Sequence, residues 1–209
     1  MKYRYIVVEG PIGCGKTTVA TKLAERLGAT ALLEDAWANP FLPQFYRDMR
    51  RYALPTQLFF LFQRAGQLES LQQPDLFAKP TIADFALAKD SLFARLTLDD
   101  AEFRLYRTIY DHVKPQAPAP DLMIYLQGSV GTLMMRVRKR GNAAENAIDE
   151  DYLRRLSEAY TRYFYNYDES PLLIVNSDRL DFEGVPEHLD LLVERVNAMR
   201  GGREFFNRA

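Results

Sequence analysis

Eight consecutive residues, Gly10-Pro11-Ile12-Gly13-Cys14-Gly15-Lys16-Thr17, have the types and spacing to hold a polyphosphate. Glycines at 10, 13 and 15 let the backbone close into a ring with its N–H groups turned inward toward phosphate oxygens. Lys16 is long enough to reach β- and γ-phosphates, the Thr17 hydroxyl is a ligand for Mg²⁺, and the stretch from Gly10 through Cys14 to Thr18 forms the cradle. Two acidic positions extend this chemistry. Glu34 follows a short apolar run at residues 30–33. Asp84 closes another at residues 80–85. An acid at the end of an apolar strand, beside a phosphate loop, is placed to hold Mg²⁺ directly or through water; a helix N-cap is the other reading of Asp84.

Those residues need particular elements to carry them. Residues 5–8 read as a buried strand before the loop, and residues 18–27 have helical apolar spacing after it, closed by Gly28. The helix adds the positive end of its dipole to the loop. Strands at 30–33, 80–85, 122–126 and 172–175 alternate with helices. The expected fold is α/β, a doubly wound, five-stranded parallel sheet with helices on both faces, whose ligands bind at the C-terminal edges of the strands. A helix at 41–52 is expected to be interrupted at Pro43. A long one opens at Pro55 and runs to about residue 71, stopped by Pro74. Gln57 and Arg64, two turns apart on it, share a face; by spacing alone that face reads as solvated. Further helices are expected at 98–113, 130–140, 149–167 and 185–199, with a frayed tail at 201–209.

The 130–140 helix carries Arg136, Arg138, Lys139 and Arg140 and runs into Gly141-Asn142. It suits a lid that closes over a triphosphate and brings guanidinium groups to the transferring charge; a solvated basic face also accounts for it. The aromatic residues of 149–167 read as core and interface packing. His112 and His188 lack partners at ligand spacing and read as surface or packing residues.

The 209 residues suit one domain with a lid at about 136–148. With 47% apolar residues, 26% charged residues and a net charge of −1, nothing global points to nucleic acid or to a membrane surface. One cysteine excludes an internal disulfide and a cysteine-rich metal site, and fits a cytoplasmic protein. The N-terminal apolar stretch runs straight into the phosphate loop, as a strand does and a signal peptide does not, and no run is long enough to span a bilayer.

Beyond the phosphate loop, three stretches carry a resemblance to the deoxynucleoside kinase family, especially its bacterial deoxyadenosine and deoxyguanosine kinases. Tyr46-Arg47-Asp48-Met49-Arg50-Arg51-Tyr52-Ala53-Leu54-Pro55-Thr56-Gln57, with Arg64 seven residues on, resembles the family's Tyr…Gln segment. Arg136-Val137-Arg138-Lys139-Arg140-Gly141 followed by Glu145 resembles its lid. Asp149-Glu150-Asp151-Tyr152-Leu153 resembles the start of the next helix.

The resemblance implies transfer of the γ-phosphate of ATP, with Mg²⁺, to the 5′-hydroxyl of a deoxynucleoside. It implies Glu34 as general base, Tyr46 and Glu145 on the 3′-hydroxyl, and Gln57, Arg64 and Asp90 on the base. It also implies Asp84 as the acid of the family's Glu/Asp-Arg-Ser/Thr motif, Arg136 and Arg140 on the phosphates, residues 176–182 beside the adenine, and a homodimer. Purine acceptors are favoured, with deoxycytidine not excluded and thymidine poor. Phe85 stands where many members have Arg, which removes a charge near the 5′-oxygen; Lys89 is one turn along. Asn142 stands where some members carry another Arg. Two other readings are open from the residues, a thymidylate-like monophosphate kinase and a non-catalytic nucleotide-binding subunit of the same fold. Phe85 argues against the first, and intact Lys16, Thr17, Glu34 and Asp84 argue against the second.

Overall fold

Runs such as Ile6-Val7-Val8 and Met123-Ile124-Tyr125-Leu126 show no polar alternation, because both faces of their sheet are covered. The computed structural model describes residues 2–69, 71, 79–115 and 118–207. In it β1 (Tyr5–Glu9), β2 (Thr30–Leu32), β3 (Thr81–Ala83), β4 (Leu122–Gln127), β5 (Leu172–Asn176) and β6 (Arg203–Phe206) form one parallel sheet in the order β2-β3-β1-β4-β5-β6. All five residues of β1 are buried. The chain leaves β1 toward β3 and β2 on one side and continues through β4, β5 and β6 on the other. The strand order therefore reverses at β1, and the crevice at that switch is where such sheets bind ligands.

Helices α1 (Lys16–Leu27) and α8 (Pro186–Ala198) pack against each other. The rest are α2 (Leu42–Arg47), α3 (Met49–Glu69), α4 (Lys89–Thr97), α5 (Asp100–Val113), α6 (Val130–Arg140) and α7 (Glu150–Tyr165), with α3 against α4 and α5, and α7 against α4 and α6. Most aromatics of α7 are core, as their pattern suggests, while Tyr165 is exposed. Phe164 stacks on Tyr125 of β4 with ring centroids 4.2 Å apart, and Tyr160 and Tyr152 are fully buried. His188 packs inside, its Nδ1 accepting the Asp181 N–H at 2.8 Å, while His112 is exposed.

Four elements differ from the sequence expectation. The sheet has six strands, because the tail expected to fray forms β6. Gly201 and Gly202, both at positive φ, turn the chain so that Gly202 C=O accepts the Leu172 N–H at 2.8 Å, and residues 203–206 pair with residues 172–175. The long helix begins at Met49 and runs through Pro55. A proline there removes the bond to the Arg51 carbonyl and ordinarily costs about 3 kcal/mol; the helix tolerates it with Ala53, Thr56 and Gln57 buried on either side and Arg51 exposed. Pro43 lies in the first turn of α2, and the break comes at Asp48 instead. Finally, α4 was not foreseen, since its apolar residues Leu92, Phe93 and Leu96 are only partly buried against the core. The stop assigned to Pro74 lies outside the described residues.

Candidate active site

The phosphate loop leaves β1 at the switch point. A Cβ at Gly10 would meet the Leu126 carbonyl oxygen at 2.4 Å, and one at Gly13, which has φ of 85°, would meet the Leu133 carbonyl oxygen at 2.6 Å. The loop thus lies on β4 and α6 too closely for any side chain, and that contact fixes its curve. Lys16 Nζ reaches back over the ring to donate to the Gly10 and Pro11 carbonyls at 2.7 and 3.1 Å. The Cys14 thiol is buried under the loop, and burial pushes its pKa up, so it is filler and not a nucleophile.

Two cavities meet at this loop, sharing Gly13, Gly15, Thr18 and Arg140 as lining. The larger, about 710 Å³, runs between α6 and residues 178–183. Arg136 spans it at one end. Its guanidinium donates to the carbonyls of Ser177 and Leu180 at 2.6 and 3.0 Å and to Ser177 Oγ at 3.1 Å, so it staples α6 to that segment. The second cavity, about 400 Å³, lies on the other side of the loop under α2 and α3, and holds Lys16, Thr17, Glu34, Tyr46, Gln57 and Arg64 in its walls together with Asp84, Lys89 and Glu145.

At the strand edges Asp84 is shared between two partners. Its Oδ2 accepts the Thr17 hydroxyl at 2.5 Å, and its Oδ1 accepts the Glu34 N–H at 2.8 Å. Thr17 Oγ1 and Asp84 Oδ2 are hard oxygen donors within one coordination sphere of each other, which fits Mg²⁺. Glu34 accepts Arg64 Nε at 2.5 Å on one oxygen and Lys89 Nζ at 3.2 Å on the other. Burial works against its charge, but the two cations outweigh burial and bring its pKa from 4.5 down to about 2. Since this is below the unfolded value, the ionised group stabilises the fold above about pH 4.5, and that contribution disappears as pH falls through about 2.

The far wall carries the remaining expected residues. Gln57 is 2% exposed, and its Oε1 has no hydrogen-bond partner among the described residues. Arg64 is 3% exposed and lies over the Phe60 ring at 4.7 Å. The face read as solvated is therefore buried, and Asp90 compensates it. Asp90 is ion-paired with Arg64 Nη1 from behind and does not itself line the cavity. At the lid end, Glu145 is buried in a short 3-10 turn (Glu145–Ala147) and accepts Arg140 Nη1 at 2.8 Å, its second oxygen free of protein donors among the described residues. Burial, and then the nearby Glu145, raise the Tyr46 pKa, so that hydroxyl stays a donor.

The sequence reading missed Glu9. Its fully buried carboxylate accepts the Gly10 N–H at 3.0 Å, the Ala86 N–H at 2.7 Å and the Tyr160 hydroxyl at 3.1 Å, which ties the phosphate loop to the corner after Asp84 and to α7. The signal was present, an acid ending an apolar strand, and was the one that located Glu34 and Asp84. Phe85 is fully buried away from the crevice, and the Lys89 ammonium lies 3.8 Å from Glu9 Oε1 as well as bonded to Glu34.

The sequence model of the family described as "Deoxynucleoside kinase" matches residues 6–199. The chain belongs to the deoxynucleoside kinase family. It is 34% identical over 191 residues to a deoxyadenosine kinase of Lactobacillus acidophilus, covering 85% of this chain and 87% of that one. It is also 34% identical over 203 residues to a deoxyguanosine kinase of Bacillus subtilis, covering 90% and 97%. The structure of deoxyadenosine kinase from M. mycoides with bound dCTP superposes with a TM-score of 0.80 at 26% identity, covering 93% of this chain and 99% of that one. Of the readings open from sequence, the deoxynucleoside kinase one stands: the chain is a phosphotransferase acting on a hydroxyl group.

For this deoxynucleoside kinase the charges around Glu34 carry a pH expectation. With both cations present, kcat should stay flat on the acid side down to about pH 4, the carboxylate remaining ionised. Lys89→Met removes one cation, so the Glu34 carboxyl should rise and the acid limb should move to higher pH. A pH–kcat profile of the variant with the limb unmoved would show that Lys89 does not face Glu34 in the working enzyme.

Proposed function

We propose that the chain is an ATP-dependent kinase of purine deoxynucleosides, acting in nucleotide salvage, with deoxycytidine a weaker acceptor and thymidine a poor one. The observation that carries the reading is the 400 Å³ cavity, with Lys16, Thr17, Glu34 and Asp84 at one end and Gln57 and Arg64 at the other. ATP takes the cavity beside residues 178–183, and its phosphates lie on the loop from Gly10 through Thr18. Thr17 and Asp84 would hold Mg²⁺, which neutralises charge on the phosphate oxygens. Lys16 follows the γ-phosphate. Arg140, on the lid at 136–148, reaches the transferring phosphate from the wall shared by both cavities, and Arg136 keeps that lid on the donor segment.

The acceptor's 5′-hydroxyl faces Glu34, which takes its proton as the oxygen bonds to the γ-phosphorus and the bond from that phosphorus to the β–γ bridging oxygen breaks, releasing ADP. With a carboxyl this acidic, the proton leaves late, as suits a loose phosphoryl transition state that asks little of the attacking oxygen. Tyr46 and the free oxygen of Glu145 meet the 3′-hydroxyl. Gln57 offers the base one acceptor and two donors, and Arg64 adds a donor fork backed by Asp90. Exposed Phe62 and Leu105 on α3 and α5 support a homodimer. The single cysteine, and the lack among the described residues of a helix long and apolar enough to cross a membrane, support a cytoplasmic location.

The test is kcat/KM for the four natural deoxynucleosides with the unmodified protein. Purines are expected first and thymidine last; thymidine in first place would overturn the roles given to Arg64 and Asp90. Arg64→Met together with Asp90→Ala should shift the ratio toward thymidine, since it opens room for the methyl group. Arg64→Met alone should damage activity more, because it leaves the buried Asp90 charge unpaired.

A further inference from the structure

Glu34 has little local support. It follows a three-residue strand and precedes an irregular turn with a 3-10 turn at Ala36–Ala38, so no regular element sets its side chain. What fixes the carboxylate comes from elsewhere. Arg64 reaches it from α3 through Nε, 2.5 Å from Oε1, and the same guanidinium is ion-paired through Nη1 with Asp90 on α4. The Phe60 ring, 4.7 Å away, backs the plane. Lys89 holds the second oxygen at 3.2 Å, but an ammonium on a flexible stem fixes distance and not direction. The planar fork, with one arm anchored on a fully buried carboxylate, fixes both.

We propose that Arg64 is a positioning residue for the phosphoryl transfer itself, its Nε aiming the Glu34 carboxylate at the acceptor hydroxyl while Nη1 is braced by Asp90. This rests on Glu34 being the group that faces that hydroxyl. One guanidinium then serves both ends of the acceptor cavity, the end that reads the base and the end where the bond forms. Losing Arg64 must therefore slow an acceptor that offers it no base to read.

The probe is the C-nucleoside carrying benzene in place of the base. It keeps the 3′- and 5′-hydroxyls and has no hydrogen-bonding groups on its ring. The unmodified protein is expected to phosphorylate it, because Glu34 is aimed without help from the base; failure to do so counts against the proposal. In Arg64→Met/Asp90→Ala, which leaves no charge of the pair buried alone, kcat for this acceptor is expected to fall about 10- to 100-fold, the scale of an ångström's misplacement. The calorimetric Kd for ATP is expected to stay unchanged. A residue that only reads the base would leave kcat for the benzene acceptor unchanged, and that result overturns the proposal. Should the double variant fail to fold, Arg64→Lys carries the same comparison, since it keeps the charge beside Asp90 but lacks the planar fork that fixes the direction of the Glu34 carboxylate; full kcat with the benzene acceptor overturns the proposal there too. Glu34→Gln, measured beside it, separates the two failures. If its kcat falls while the Arg64 variants keep theirs, the inference is wrong and the role of Glu34 survives. If its kcat is also intact, the role of Glu34 falls first.

Discussion

Lys16→Ala is expected to lower kcat by at least about 10²- to 10³-fold, the range seen when one preorganised donor to a developing charge is removed. The ammonium now rests on the Gly10 and Pro11 carbonyls, within the ring that the phosphates would occupy. Those carbonyls are weaker partners than a phosphate, so the lysine is free to exchange them for the γ-oxygens, and the loop keeps its own shape without it. That shape is set by the close seating of Gly10 and Gly13 on β4 and α6, which the substitution leaves alone. Circular dichroism and melting temperature should therefore match the unmodified protein. Normal turnover by a correctly folded variant would sink the phosphate-loop assignment.

Glu34→Gln should cost about 10² to 10⁴ in kcat, the usual contribution of a general base. The amide is nearly isosteric and can still accept from Arg64 Nε, but it carries no charge to offset the two cations facing it. ATP should bind as before, because Glu34 lines the cavity on the acceptor side and not the one beside residues 178–183. Isothermal titration with ATP, run beside steady-state kinetics, distinguishes the cases. If kcat holds and only ATP binding weakens, Glu34 is not the base and Asp84 inherits the role.

The parts of this site that the sequence reveals are those whose signal is local. The phosphate loop, and the acids Glu34 and Asp84 at strand ends, each sit within a few residues of the pattern that exposes them. Arg64 is different. On a helix, a buried arginine compensated by Glu34 and Asp90 has the same periodicity as a solvated one, because the compensating carboxylates lie some thirty residues away along the chain. Spacing cannot separate the two; the ion pairs can. Pro55 misled for a related reason: a proline is a local start signal for a helix, and the packing of α3 carried the helix through it from Met49. The C-terminal strand is only four residues long, with Phe205 and Phe206 its only strand-favouring residues, and it pairs with the edge that β5 offers. Glu9 belongs with Glu34 and Asp84 by its pattern, an acid that ends an apolar strand.

The placement of β1 in the middle of the sheet bears on how the chain is born. Synthesis delivers β1 first, yet Ile6 must wait for Ile82 on one side and for Leu122 on the other before either edge is paired. Until both arrive, the strand that launches the phosphate loop has α1 to lie against but an unpaired edge, and its closure depends on contacts far apart along the chain, the kind that form slowly. The phosphate loop is thus complete in sequence well before it is complete in space: a nascent chain halted before residue 122 carries every residue of the loop but lacks the Leu126 and Leu133 carbonyls on which Gly10 and Gly13 are seated.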